Sequence, residues 1–542
     1  MFLKRNRRLS GDDKVTAVLL VHGERVPEKR PPGRPAKDAP PPKTRVVHRT
    51  IANLTHLPDD LIAIVEAYCR GERVQVGGSE AVVGKAYGAL AATLAIARKL
   101  GIEDALGDSR MAKLALFLVL ARVCDRGSRL SAVRWAEDQA VRESLGLGSF
   151  DEDDLYATLD WLEERHEAIE LALARRAAPS TLYLYDVTSS YLEGQKNELA
   201  APGYNRDGKR FKKQVVVGLL TDVSGEPVAV RVYVGNTSDP KTVADPIRFL
   251  ADKIGAKDIV FVGDRGMVKS APRRMLSEAG FRFLTALTDA QVRSIMKRGG
   301  IQLDLFEETP IEVEFEGRRL ILRLNPDTRD RHRQRRGDQL AKVRKKIDAR
   351  NAKVLESERA DPAASLRHAE GWIKAYGLGS FVTARLDGRS VVLDIDEEKR
   401  TEVELLDGCY VLETNAPRET MDAAEAHARY MDLTKVERDF RTMKTGLLEI
   451  RPIFVRKAGR TRGHALVTML ALKIVRELER LLRPSAIPVD TALQRLAGVR
   501  LVSVGDPKLR LWHLPTHFEL AQREVLDLLP ALPPPLVSRD PK

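Results

Sequence analysis

Residues 181–194, TLYLYDVTSSYLEG, followed at 215–235 by VVVGLLTDVSGEPVAVRVYVG, decide how this chain is read. The first stretch is a strongly apolar strand interrupted by one acid. The second is two strands joined through a Ser-Gly turn. Downstream, TVADPIRFLADKIG (242–255) has the spacing of an amphipathic helix and DIVFVGDRG (258–266) that of a buried strand. SAPRRMLSEAG (270–280) then reads as a helix and FRFLTAL (281–287) as a further strand. Three strands, a helix, a strand, a helix and a strand predict a mixed α/β sheet.

Upstream, the period is helical from about Leu61 to Arg176. YGALAATLAIARKLGI, MAKLALFLVLARVCD and EERHEAIELALARR each repeat apolar residues at helical spacing. Such a bundle either presents helices to a DNA groove or serves packing and dimerisation. Before it, TAVLLVHGERV and RVVHRTIANL form a strand pair around a Pro- and Lys-rich loop. Gly33-Arg34-Pro35 in that loop resembles a minor-groove hook in one short copy, against the competing reading of a solvated linker.

Beyond the sheet, residues 289–415 interrupt the pattern. IEVEFEGRRLILRL is strand-like, and Arg329 to Arg350 then holds ten Lys or Arg against three Asp in a helical-looking run. That run is either a phosphate-neutralising surface, which makes DNA binding steeply salt-dependent, or a solvated face. Alternating strands return at 380–415. One helix is expected over AAEAHARYMDLTKVERDFRTMKTGL, and a long apolar one over HALVTMLALKIVRELERLL. The Pro-rich C-terminal tail is expected to fray.

The chain has 542 residues, enough for three or four domains, and 43% apolar residues, enough for a large core. Ninety Lys and Arg against 77 Asp and Glu give a formal charge of +13, which favours a polyanionic partner. Three scattered cysteines (Cys69, Cys124 and Cys409) exclude a disulfide framework and a zinc cluster. No apolar run reaches the ~18 residues a bilayer span needs, and the basic start lacks a secretory apolar segment. The expectation is a soluble, cytoplasmic, reducing-compartment protein, nucleoid-associated when bound to DNA.

Three carboxylates stand out. Asp186 sits in the middle of an apolar strand, where a charge is costly unless it is paired or metal-bound. Its other reading is a cap on the following turn. Asp264 ends the strand IVFVG, and strand C-termini face the ligand crevice in open α/β sheets. Its alternative is a local turn with Arg265. Glu437 lies seven residues from both Tyr430 and Lys444, which places the three on nearly one helix face with ~10 Å between neighbours. Its alternative is a solvated pair with Arg441. Converging carboxylates demand divalent cations, and oxygen-only ligands select Mg²⁺ or Mn²⁺, two of which support in-line phosphoryl transfer. His427 and His464 are isolated and read as structural.

The chain resembles a bacterial insertion-sequence transposase of the DDE class, and more narrowly the insertion-sequence-four superfamily. YDVTSSYLEG, GNTSDPKT, VFVGDRGM, LLDGCYVLETN, YMDLTKVERDFRTMK and IRPIFVRKAGRTRGHALVTMLAL carry the resemblance in the family's order over residues 181 to 480. It implies an RNase H-like mixed-sheet catalytic core interrupted by a β-rich insertion and preceded by a helical N-terminal region. It also implies Asp186, Asp264 and Glu437 as the metal-binding triad. Tyr430, Glu437 and Lys444 match three positions of the family's Tyr-Arg-Glu-Lys signature, while the Arg position is Leu433 here. Lys435 or Arg441 is the expected substitute, and Arg265 is a further DNA contact. Trp372 is placed like the family's base-stabilising aromatic, against a plain core role.

The implied organisation is a hairpin at 1–60, a helical DNA-end-binding region at 61–178, and the core at 179–288 and 416–485. The insertion is at 289–415 and an extension at 486–542. The implied activity is metal-dependent cleavage at terminal inverted repeats and joining of the 3′ ends to target DNA by a homodimer on double-stranded DNA, with no membrane partner. The rival readings are a catalytically inactive DNA-binding regulator and an RNase H-like nuclease without strand transfer.

Overall fold

The computed structural model describes the whole chain except residues 1, 8–14, 28–43, 71–81, 193, 195, 205, 207, 210, 445–447, 449, 451–454, 504–511, 516 and 536–542. The Pro- and Lys-rich loop with Gly33-Arg34-Pro35 lies outside the described residues. The chain divides into two units, residues 1–82 with 503–511 and 539–542, and residues 83–502 with 512–538.

In the first unit, β1 (Phe2–Arg7), β2 (Val15–Pro27) and β3 (Thr44–Asn53) form an antiparallel sheet in the order β1-β2-β3. The β2–β3 pair is the expected hairpin, and β1 is an extra strand that its basic composition hides. Helix α1 (Asp59–Cys69) packs on β1, so the first unit continues past the expected boundary at residue 60.

In the second unit, β4 (Val82–Ala86) leads into a helical block. Its helices are α2 (Gly88–Lys99), α3 (Ile102–Leu106), α4 (Arg110–Cys124), α5 (Arg129–Asp138), α6 (Val141–Leu145) and α7 (Glu152–Arg176). Ser109 and Ser128 cap α4 and α5, and Asp151 with Asp154 forms a capping box on α7. Helix α4 is buried at all but four of its 15 positions. A helix covered on every side packs a core, and this one leaves no face for a DNA groove.

Strand β5 (Leu182–Tyr191) starts the main sheet, followed by the β6 (Gln214–Asp222) and β7 (Pro227–Val234) hairpin. Their turn is closed by Asp222, whose carboxylate accepts from Ser224 Oγ at 2.6 Å and from the Glu226 amide at 2.9 Å. Gly225 takes the positive φ of 85° that the turn requires. Short helices α8 (Asp239–Thr242) and α9 (Ala244–Arg248) and a π turn lead to β8 (Val260–Gly263). Then come α10 (Ser270–Glu278), β9 (Arg282–Ala286) and α11 (Asp289–Lys297).

The segment expected to be a β-rich insertion carries more helix than strand. Strands β10 (Ile311–Phe315) and β11 (Arg318–Leu324) join the main sheet, because Leu320, Ile321 and Leu322 are buried on both sides. The excursion proper is α12 (Pro326–Glu356), α13 (Pro362–Ala375), the β12 (Val382–Asp387) and β13 (Ser390–Ile395) hairpin, and α14 (Glu397–Glu404). It has its own small core around Val343, Ile347, Ile373 and Phe381. Strand β14 (Cys409–Thr414) returns to the sheet.

The expected single helix over 423–447 is two across its described residues, α15 (Ala423–Met431) and α16 (Leu433–Lys444). Asp432 marks the break and binds Arg429 and Lys435, each at 3.0 Å. Helix α17 (Ala458–Leu482) follows and is buried without interruption from Gly463 to Val475. It packs on α7, α4, β7, α2 and α16. No described helix is long and apolar enough to cross a membrane.

The sheet has eight strands in the order β10-β11-β14-β9-β8-β5-β6-β7, with β5, β8 and β9 parallel at its centre. Leu182, Leu184, Val260 and Val262 face the α4, α7 and α17 layer. Tyr183, Tyr185, Val187 and Phe261 face the opposite layer. Two covered faces explain why these strands read as continuous apolar runs.

Candidate active site

Strand β5 is buried along its length except at Asp186 and Tyr191. Its register with β8 pairs Leu182 with Val260, Leu184 with Val262 and Tyr185 with Gly263. One step further along that register, Asp186 stands beside Asp264. Both have the side-chain parity of Leu182 and Val260, so they share the face against which α16 packs on β5. Adjacent strands run ~4.8 Å apart, so the two carboxyl groups are neighbours.

Their electrostatics follow. Burial pushes the Asp186 carboxyl up to about 7, the Asp264 carboxylate adds to the rise, and Glu437 adds a smaller part. The backbone amide of Val187, bonded to Asp186 at 2.7 Å, opposes it, as does Arg206. Glu437, exposed on α16, is therefore within electrostatic reach of the aspartate pair.

Tyr430 ends α15 and donates its hydroxyl to Asp264 Oδ1 at 3.2 Å. Burial and the Asp264 carboxylate raise its pKa, so the hydroxyl keeps its proton. The break at Asp432 puts Tyr430 on a different helix from Glu437, and its hydroxyl bonds an aspartate. Within α16, Glu437, Arg441 and Lys444 lie at i, i+4 and i+7 on one face.

Lys435 is on the opposite face of α16. It binds Asp432 and donates to the Val223 carbonyl at 3.1 Å, turned toward the β6–β7 hairpin. Arg265 pairs with Asp289 at 2.9 Å. Leu433, at the signature's arginine position, is buried in the core. Trp372 is half-buried on α13 beside His368, 6.0 Å between ring centroids.

Both histidines are structural. His464 is buried and accepts from Arg129 Nη2 through Nδ1 at 2.7 Å, and burial with two nearby arginines drives its pKa well below the usual imidazole value. His427 packs on Tyr410, and burial and Arg323 lower its pKa.

Two participants escaped the sequence reading. Arg206, in the β5–β6 connection, donates its amide to Ser189 Oγ at 2.9 Å and pairs with Asp239 at 2.8 Å, which holds a cation near Asp186. Asp239 lies in GNTSDPKT, so the motif held half of this pair. The other is the Tyr430–Asp264 bond, which no spacing within one helix reveals.

The donor set is all oxygen, the chemistry of a hard divalent cation. Among the described residues, however, no group of three or more His, Cys, Asp or Glu is arranged to hold a metal ion. The adjacent aspartates fit such an ion as a pair. Glu437 couples to them electrostatically without forming a third ligand.

No family model matches the chain, and no curated protein sequence matches it. Among solved structures, it is similar to the piggyBac transposase synaptic complex with hairpin DNA, at 8% identity and a TM-score of 0.35 over 82% of this chain and 83% of that one. It is also similar to the Mos1 transposase paired-end complex with left transposon end, at 14% identity and a TM-score of 0.15 over 31% of this chain and 57% of that one. The pre-cleavage Mos1 transpososome gives 13% identity and a TM-score of 0.15 over 31% and 58%. Overlaps of this size leave the function to be read from the site's own residues.

Proposed function

We propose that this chain is a DDE-type DNA transposase, which cleaves at the ends of an insertion sequence and joins the 3′ ends to target DNA. The observation that carries the reading is the Asp186–Asp264 pair on one sheet face, with Glu437 in electrostatic reach from α16. The strand order β7-β6-β5-β8-β9, with β6 antiparallel and β5, β8 and β9 parallel, supports an RNase H-like core.

In this reading Asp186 and Asp264 would hold Mg²⁺ or Mn²⁺, with Glu437 completing the second metal site. The chemistry such cations would supply there is activation of water or a 3′-hydroxyl and neutralisation of charge on the phosphoryl group in transfer. Tyr430 keeps its proton and orients Asp264 through one hydrogen bond. Arg441 and Lys444, on the Glu437 face of α16, meet the phosphates. Lys435 and Arg265 contribute through the hairpin and Asp289 partners they already engage. The partners are terminal inverted repeats and target DNA, bound by a homodimer.

A second reading, a DNA-binding regulator without catalysis, draws on Glu437 standing outside a three-ligand group. One assay separates the two: labelled DNA carrying the flanking inverted repeat, incubated with Mg²⁺ or EDTA, with wild type and Glu437→Ala. Metal-dependent nicking at the repeat end that is lost in the variant supports the transposase. Specific binding without cutting in both proteins supports the regulator. Nicking without strand joining supports a nuclease.

A further inference from the structure

Helix α12 has two unlike faces. Val343 and Ile347 are buried against α13 and the β12–β13 hairpin, and Val354 is buried further along the helix. On the opposite side, Arg331, Arg335, Lys342, Lys345, Lys346 and Lys353 fall within about 100° of one another at the α-helical period, and all six are exposed. Between the first and the last, that face carries one carboxylate, Asp338. The stripe extends roughly 33 Å at the helical rise of ~1.5 Å per residue.

The stripe carries six cations against the one carboxylate of Asp338. Three nearby acids are engaged elsewhere: Asp407 and Glu404 bind Arg336 at 2.7 and 3.1 Å, and Asp330 binds Arg329 at 3.1 Å. Among the described residues, none of the six is ion-paired to a carboxylate. Lys346 is instead fixed over the rings of Trp372 and Tyr376, 5.5 and 5.1 Å from their centroids. That contact holds the ammonium at the α12–α13 edge. Like charges repeated along one helix repel one another, so a rigid row of this kind is stabilised by a partner with regularly spaced negative charge.

We infer that this face of α12 is a docking track for the phosphate backbone of duplex DNA, separate from the carboxylate site. The inference rests on the DNA-processing reading only for the choice of DNA as the polyanion. Its length is close to one helical turn of duplex, ~34–36 Å, so a single DNA segment can meet the whole row. Contacts made through exposed Lys and Arg read charge and not sequence.

The test uses the full chain and a 30-base-pair duplex of arbitrary sequence in EDTA, with binding followed by fluorescence anisotropy across a salt series. Three lost phosphate contacts, in Arg335→Gln/Lys342→Gln/Lys346→Gln, flatten the slope of log K against log salt by about 2.7. The wild type then loses roughly 40-fold more affinity than the variant between 50 and 200 mM salt. A second variant on the same stripe, Lys345→Gln/Lys353→Gln, flattens the slope by about 1.8 and guards against a folding defect in the first. An unchanged slope in both folded variants overturns the track, as does a wild type that fails to bind the duplex. Tighter binding to duplex RNA with the same slope change overturns the commitment to DNA. An unchanged slope alongside metal-dependent cutting by the wild type removes the track alone. A flattened slope without cutting under any condition removes the phosphoryl-transfer reading and leaves the track standing.

Discussion

Asp186 and Asp264 stand side by side on one face of the central sheet, one register step beyond the pairing of Tyr185 with Gly263. Burial of Asp186 penalises its charged form and the neighbouring Asp264 carboxylate adds to the penalty, which together raise Asp186 to about 7.

That shift has a sign in stability. An unfolded Asp titrates near ~3.9, so below about pH 4 both states are protonated and Asp186 costs nothing. Between about pH 4 and about 7 the unfolded chain has released its proton while the folded carboxyl still holds it, so stability falls across that window and the loss is complete once Asp186 ionises. Asp186→Asn removes the penalty. In EDTA the variant melts higher than wild type at pH 8, by up to ~4 kcal/mol of stability, and at nearly the same temperature near pH ~3, below the unfolded pKa. Magnesium narrows the gap at pH 8 by stabilising the wild type. Equal differences at both pH values would show that the carboxyl is not perturbed.

Tyr430→Phe separates two roles for the tyrosine. If its hydroxyl serves Asp264, the variant binds DNA within about twofold of wild type, loses ~1 kcal/mol of stability and needs more Mg²⁺ for cutting. A tenfold drop in DNA affinity at unchanged Mg²⁺ dependence would assign the hydroxyl to phosphate instead.

Glu413, buried on β14, accepts from Arg273 at 2.5 and 2.9 Å and from Arg318 at 2.7 and 2.8 Å. The two guanidiniums hold its carboxyl below the usual range despite burial. Glu413→Ala leaves both cations partly buried without their counter-charge, which costs about 3–5 kcal/mol. Chemical denaturation reads this directly, and a loss under 1 kcal/mol would mean that the arginines find water.

Gly463 lies where α17 crosses α7, and a Cβ there would collide with the backbone carbonyl of Leu159. Backbone cannot rotate away as a side chain can. Gly463→Ala therefore forces the helices apart and costs about 1–3 kcal/mol, measured as a lower denaturation midpoint. An unchanged midpoint would mean that the two helices can separate at this crossing without cost.

Much of the central architecture was legible because its strands are buried on both faces and announce themselves as apolar runs. The β5 to β9 elements, the Ser-Gly turn and the β2–β3 hairpin follow from local pattern. Strand β1, FLKRNR, did not, since its basic composition reads as a tail until β2 pairs with it. The break at Asp432 was also hidden, because YMDLTKVERD has unbroken helical spacing and only the Arg429 and Lys435 contacts mark the joint.

The sequence by itself determined which residues carry charge in costly places: an aspartate inside an apolar strand, another at a strand end, and a cationic run after β11. These are local facts, readable from the cost of burying or crowding charge. Tertiary structure alone decided that Asp186 and Asp264 share a register step and a face, and that Tyr430 spends its hydroxyl on Asp264. It also turned Lys435 away from them. Each of these depends on strand order and helix placement, which arise from contacts between residues dozens to hundreds of positions apart.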